Sequence, residues 1–598
     1  MTALASRHGA GYRLVLRERS NDGRRSLEAD VFGPDKMAND PDTPLLLDIV
    51  ETARGRSLQI GDAVAERIGR LILRISPHAS GGLSPREAFI ASPVRIYERT
   101  MAAGPPPDHD MLDRLGRLGD ALLVDYGFAP LPPLPQLMAQ TPAAYTYLGQ
   151  FLAHEMTVWN PTANPALPPF AGPIDSAIDL KTIFQLPQGF PGTLPVHVKE
   201  VEGLPLTKTI LDSGSGFSGS GLDDVPRLAT GWPLLLDPRN DQNLALSQTH
   251  VAVTRFAQAA MRILNDTDLS ADDIRRVVLR HFQSVVLQDY LVRLVDPATY
   301  HDVMTRGRVW VAPSGGGIAL HPFYVSHEFS AAIFRFGHAM RRDEYAPWNT
   351  ANPDNTVDSA LASDLLGLSF EGMGLTNGRL LQTWTTDWRH MLGLDAMPPI
   401  KATGIGTDLR QSLFCLPKDL FQHGDLDVPC PGTLTEHINL ARRTLVSGAV
   451  QLLPSGQALA QAVQAALQAA GSTCEIPILA PDALDIPHNP DATAIMREGA
   501  IGSRFVDQTP LWVYTLLEAA VIGNGNRLGP LGGRIVAETL NAAIEASGSD
   551  MIVDGVRQHF APDPRFGGTS NDRFDYSDLV RLAFSVNPEQ IDDTQTPT

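Results

Sequence analysis

Cysteine is almost missing from this chain: 598 residues hold three, Cys415, Cys430 and Cys474. Three thiols cannot form a dense disulfide framework at this length, so the fold must rest on buried apolar surface, and a reducing compartment suits it. Basic residues are also in deficit, 48 Lys and Arg against 67 Asp and Glu, and a net charge of −19 opposes binding to phosphate backbones. No nucleic-acid partner is expected. Long apolar runs are absent too, so no transmembrane helix is expected. The N-terminus reaches Arg13, Arg17 and Arg19 without the apolar core of a signal peptide, which makes a cytoplasmic location the expectation.

Period-2 alternation is scarce, whereas apolar residues recur at three- and four-residue spacing over 246–265, 271–293, 326–342, 456–470, 509–521 and 533–547. In the clearest of these, Ile274, Val277, Val278, Phe282, Val285, Val286 and Tyr290 form one stripe. The fold class read from this pattern is mainly α, with long loops and few short strands. Residues 1–45 are charged and punctuated by Pro and Gly, Gly33-Pro-Asp-Lys36 through Asp40-Pro-Asp-Thr43 reads as loop, and the prolines at 129–135 would stop any helix. A GxGxxG match at 214–219 lies in the Gly/Ser-rich stretch 213–221. Because Leu222-Asp-Asp-Val-Pro-Arg227 breaks the helix that a phosphate cradle requires, that stretch reads as a flexible loop.

Three separated segments carry residues suited to peroxide chemistry: Gln150-Phe-Leu-Ala-His154, Asp237-Pro-Arg239-Asn-Asp-Gln242 and Phe334-Arg335-Phe-Gly-His338. Cleaving a peroxide needs a group that takes a proton from one oxygen and returns it to the other, and histidine does both near neutral pH. His154 is the candidate. Gln150, four residues earlier, shares its helical face and can hold a water or peroxide beside the imidazole. Charge gathers on the peroxide as the O–O bond stretches, so a preorganised cation stabilises the transition state, and Arg239 is the candidate. Taken singly, each segment also has a bland reading: a hydrogen-bonded core pair for His154 and Gln150, a surface turn for Arg239, a core histidine for His338.

Together and in this order, with Leu453-Pro-Ser-Gly-Gln457 and Leu528-Gly-Pro-Leu-Gly-Gly-Arg-Ile-Val-Ala-Glu538, the segments resemble the animal-type haem peroxidase (peroxidase–cyclooxygenase) superfamily in its shorter bacterial form. The resemblance implies a large helical catalytic domain over 109–587 preceded by an N-terminal extension of uncertain structure over 1–108, and the polar composition of 588–598 reads as a disordered tail. It implies a haem peroxidase that reduces H2O2 through a ferryl intermediate and oxidises a small-molecule electron donor one electron at a time. His338 would be the axial ligand of the haem iron, with Gln457 or Asn439 accepting from its second ring nitrogen and Arg335 pairing with a haem propionate. Superfamily members that oxygenate fatty acids carry a radical-forming tyrosine three residues before this histidine. Arg335 stands there instead, which leaves a haem-dependent fatty-acid dioxygenase, or a noncatalytic haem-binding protein, as the alternative.

Two departures from the family pattern alter the expectation. Carboxylates that esterify the haem in animal members are replaced by Ala153 and Gln242, which implies noncovalent haem b. At the family's calcium site Glu155 and Asp179 match, but Lys181 stands where an oxygen ligand is expected, so either calcium or the lysine ammonium would fill it.

Overall fold

The computed structural model describes residues 107–124, 138–157, 176–184, 224–225, 233, 235–265, 267–311, 325–351, 356–369, 380–410, 416–417, 437–568, 570 and 572–585, with the backbone of five strands between residues 13 and 99. The 129–135 prolines, Asp175, the 213–221 stretch, Cys415, Cys430 and the 588–598 tail lie outside the described residues.

The 33–43 stretch read as loop lies outside the described residues, and strands flank it in the N-terminal extension. Strands β1 (Arg13–Asn21), β2 (Arg24–Phe32), β3 (Leu45–Thr52), β4 (Gly55–Gln59) and β5 (Arg95–Arg99) form a five-stranded sheet in the order β4-β3-β2-β1-β5. The pairs are antiparallel except β1 with β5, which is parallel.

From residue 107 onward the described chain is helical, with strand pairs of two to five residues. Its principal helices are α1 (His109–Ala121), α2 (Ala144–Met156), α3 (Leu244–Asn265), α4 (Ala271–Val285), α5 (Pro297–Arg306), α6 (Leu440–Val450), α7 (Gly456–Ala469), α8 (Leu511–Val521), α9 (Pro530–Ala546) and α10 (Tyr576–Ser585). Side-chain acceptors start several of them: Ser270 caps α4, Asp296 caps α5 and Ser455 caps α7. Helix α3 is buried on all sides along nearly its whole length, as a helix at the centre of a large core must be. It packs against α2, α4 and α10 and against the short 3-10 helix Pro238–Asp241. Truncating a fully buried ring such as Phe256 at this centre would cost about 3–5 kcal/mol.

Two predicted helices are built differently. The 271–293 stripe is continuous, but a π-helical turn at Val286–Tyr290 separates α4 from Leu291–Leu294. The 326–342 pattern becomes a π-helical turn, Glu328–Ala332, followed by a 3-10 helix, Ile333–His338. Residues three apart eclipse in 3-10 geometry, so Arg335 and His338 stand one above the other. Close approach of these elements uses glycine at one telling place: a Cβ at Gly149 of α2 would lie 2.4 Å from the Tyr290 hydroxyl of the π-turn.

Candidate active site

Helix α2 meets both other segments, since it packs against Pro238–Asp241 and against Ile333–His338. His154 is buried in its last turn. Its Nδ1 lies 2.9 Å from Asn240 Oδ1. An amide oxygen can only accept, so the imidazole proton sits on Nδ1 and Nε2 keeps its lone pair. The other end of the same amide donates to His250 Nδ1 at 3.2 Å, which places the His250 proton on Nε2. Burial, then the charge of Arg239, pushes His154 down to about 4, while Asp237 and the Asn240 hydrogen bond pull the other way. Burial also pushes His250 down to about 4. His154 is therefore a neutral base with one tautomer selected. Gln150 accepts from Asn243 Nδ2 at 3.2 Å and is only partly buried.

Arg239 is not a free cation. Its Nε donates to Asp237 Oδ1 at 3.0 Å, its Nη2 to Asp237 Oδ2 at 2.5 Å and its Nη1 to Thr157 Oγ1 at 3.2 Å, while Nη2 also reaches the Thr157 carbonyl. This fork ties the end of α2 to the 3-10 helix and fixes the guanidinium plane. Burial alone would raise Asp237, but the charge and hydrogen bonds of Arg239 outweigh it and hold the carboxyl below its ordinary value. Gln242 follows the 3-10 helix as its C-terminal cap, and the Ala153 carbonyl accepts from the Thr157 hydroxyl at 2.6 Å.

His338 ends its 3-10 helix with the ring edge-on to Trp512, centroids 6.2 Å apart. Burial, then Arg335 and Arg341, push it down to about 3, so it is neutral at pH 7. Its Nδ1 is enclosed without a hydrogen-bond partner. Arg335 Nε donates to the Ser330 carbonyl at 3.2 Å and its Nη1 to Thr444 Oγ1 at 3.3 Å. Burial, then Arg443, push Arg335 down to about 10, and no carboxylate among the described residues pairs with it. A Cβ built on Gly337, between the two, would meet nothing within 4 Å.

Gln457 and Asn439 are not the partners of His338. The Gln457 amide donates to Val506 O at 3.1 Å and Thr509 Oγ1 at 2.9 Å, and its oxygen accepts from Thr509 N at 2.9 Å. Asn439 caps α6 through Arg442 N at 3.0 Å and donates to Asp120 Oδ1 at 2.8 Å. Both amides are consumed in holding loops to helices.

Lys181 sits between the two carboxylates assigned to an ion. Its Nζ lies 3.0 Å from Asp179 Oδ1 and 3.8 Å from Glu155 Oε2, and donates to the Ala177 carbonyl at 2.5 Å. Glu155 also accepts from Thr182 N at 3.0 Å and from the Thr182 hydroxyl. Burial pushes Glu155 up against the pull of Lys181. Among the described residues no group of three or more His, Cys, Asp or Glu is placed to hold a metal ion.

Asn240, His250, Asp237 and Trp512 complete the site and were not singled out in the sequence. The first three flank Arg239 within 11 residues, and their signal was proximity to that residue. Trp512 had no such signal.

No family model and no curated protein matches the chain. Among solved structures, the chain is similar to peroxidase A from Dictyostelium discoideum, with 13% identity over 82% of this chain and 91% of that chain and a TM-score of 0.45. It is similar also to the fatty acid α-dioxygenase of Oryza sativa, with 13% identity, 80% and 83% coverage and a TM-score of 0.45. For the Arabidopsis thaliana fatty acid α-dioxygenase the figures are 12%, 82%, 76% and 0.46.

Proposed function

We propose that this chain is a haem peroxidase that reduces H2O2 and oxidises a small-molecule donor one electron at a time, with haem b held noncovalently. The observation that carries the reading is the Asn240 amide, which selects the His154 tautomer with a free Nε2 beside a guanidinium clamped by Asp237 and Thr157. Features on the opposite side suit a haem. His338 is neutral with an enclosed, unpartnered Nδ1, Arg335 is a partly buried cation with no carboxylate partner among the described residues, and open space adjoins Gly337. His338 would hold the iron and Arg335 a propionate. Haem, when bound, supplies the redox-active iron that takes up oxidising equivalents from peroxide.

The side chains do the rest. His154 Nε2 takes the proton from the first peroxide oxygen and returns it to the second, so water rather than hydroxide departs. Arg239, already oriented, meets the negative charge without a rearrangement. Gln150 offers its amide to the incoming peroxide. Arginine at position 335 cannot lose an electron to form a useful radical, which favours donor oxidation over fatty-acid oxygenation.

The test is direct. Full-length protein loaded with haem should oxidise guaiacol only when H2O2 is present, and should take up no O2 with an unsaturated fatty acid. Regiospecific fatty-acid oxygenation without peroxide would replace this reading by the dioxygenase one. Haem binding with neither reaction would leave a carrier.

A further inference from the structure

We infer that Tyr145 is a redox-active tyrosine, linked through Tyr576 to Trp388 by a buried chain of oxidisable rings that lets one-electron donors react at the protein surface. The Tyr145 hydroxyl donates to Asp289 Oδ2 at 2.5 Å. Such a short, charge-assisted bond to a carboxylate gives the phenolic proton a base to move to when the ring loses an electron. Asp289 is held for that task by the π-turn Val286–Tyr290, and it also accepts from Arg293 Nε at 2.6 Å and Tyr576 N at 2.9 Å. π-Turns of this kind recur at functional sites.

The rings themselves are contiguous. Tyr145 and Tyr576 meet edge-to-face with centroids 5.6 Å apart, and Tyr576 and Trp388 at 5.9 Å. All three rings are buried, but Trp388, at 7% exposure, is the outermost of them and borders Phe584, which is 39% exposed. The other buried tyrosine pair lacks the essential base: the Tyr147 hydroxyl donates to Tyr345, itself a phenol, at 2.6 Å. Tyr576 faces the Thr249 hydroxyl and likewise has no base, so it bridges while Tyr145 stores the oxidising equivalent. Tyr145 lies nine residues before His154 on α2, about 13 Å along the axis, which connects the chain to the candidate active site.

Each step balances. A one-electron oxidant takes an electron from Trp388 and leaves the indole radical cation, its enclosed Nε1 proton still in place. The radical cation then takes an electron from Tyr145 by way of Tyr576 and is restored to the neutral indole, while the Tyr145 proton passes to Asp289. With an oxidant at the interior end the electrons flow inward instead, from an external phenol or arylamine at Trp388.

Pulse radiolysis of the full-length chain with the azide radical tests this without any haem reaction, because the radical oxidises tryptophan and becomes azide ion. The expected result is a first-order conversion of indole-radical to phenoxyl absorption, slowed in D2O because the Tyr145 proton moves to Asp289. That phase should be lost in Tyr145→Phe, which keeps the ring, and slowed in Trp388→Phe. An unchanged phase in Tyr145→Phe of wild-type thermal stability, or no D2O effect in the wild-type chain, overturns the assignment. Because haem takes no part, failure here leaves the peroxidase reading intact, and failure of that reading leaves the relay intact.

Discussion

His154 Nδ1 and Asn240 Oδ1 lie 2.9 Å apart, and this bond decides which imidazole nitrogen is free to act. If it sets the tautomer, Asn240→Leu should keep haem affinity and slow the peroxide reaction, by less than the roughly 10²- to 10⁴-fold expected for removing an acid–base group outright. Asn240→Asp should favour the imidazolium and raise the His154 pKa. Rate–pH profiles of both variants check this, and an unshifted profile in Asn240→Asp contradicts it.

The pH dependence of the wild-type protein follows from the same site. Burial and Arg239 hold His154 at about 4 rather than 6.5, so the neutral base persists well into acid. The bimolecular rate of the peroxide reaction should stay flat from pH 7 to about 5 and fall near pH 4. A midpoint near 6.5 would show a solvated imidazole.

Stability should respond in the same direction. His281 donates from Nδ1 to the Val277 carbonyl at 2.7 Å and accepts at Nε2 from Asp563 N at 2.9 Å, a pairing only the neutral ring can make. His154, His250 and His281 are each pushed down to about 4, chiefly by burial. A group with a depressed folded pKa contributes stability above its unfolded value and loses it as pH falls toward the folded one. Thermal stability should therefore decline between pH 6.5 and about 4, and His281→Gln should flatten part of that decline.

Helical periodicity was readable wherever one stripe faced a core, as in Ile274, Val278, Phe282 and Val285 of α4. The π-turns were not readable, because one extra residue per turn barely disturbs an apolar stripe. The N-terminal sheet was missed although Asp22-Gly23, a hairpin dipeptide, stands between the paired ends Asn21 and Arg24. At the candidate site, His154, Arg239, Arg335 and His338 could be singled out as residue types whose chemistry is specific. Gln457 misled because an amide in a family-like motif looks the same whether it faces a histidine or, as here, Thr509. Asn240 was hidden for the converse reason: its role arises from a contact 86 residues away in sequence.

Lys181 supplies a further prediction. Its ammonium lies 3.0 Å from Asp179 and 3.8 Å from Glu155, and we expect it to take the place of a metal ion there. Protein purified with and without chelator should contain no stoichiometric calcium and melt at the same temperature. Lys181→Met, which strands two carboxylates, should cost about 3–5 kcal/mol by denaturant unfolding. Stoichiometric calcium would reject the substitution.

Arg239→Lys separates charge from clamp. Lysine keeps the positive charge but cannot fork between Asp237 and Thr157. We expect a slower peroxide reaction and lower thermal stability together, while haem occupancy is unchanged. A normal rate would mean that charge alone suffices.

Neither Ala153 nor Gln242 offers a carboxylate for an ester, so acidified organic solvent should extract all haem from the loaded protein. A retained fraction would show a covalent link.

The central claim is the division of labour between the two histidines. It is tested most directly by measuring haem occupancy and the rate of the peroxide reaction in His154→Ala and His338→Ala. His338→Ala should lose or mis-ligate haem, since affinity depends on that bond. His154→Ala should hold haem fully yet react with H2O2 roughly 10²- to 10⁴-fold more slowly. Full haem with normal kinetics in His154→Ala would contradict the account, and loss of haem in His154→Ala with normal ligation in His338→Ala would show that the two faces are reversed.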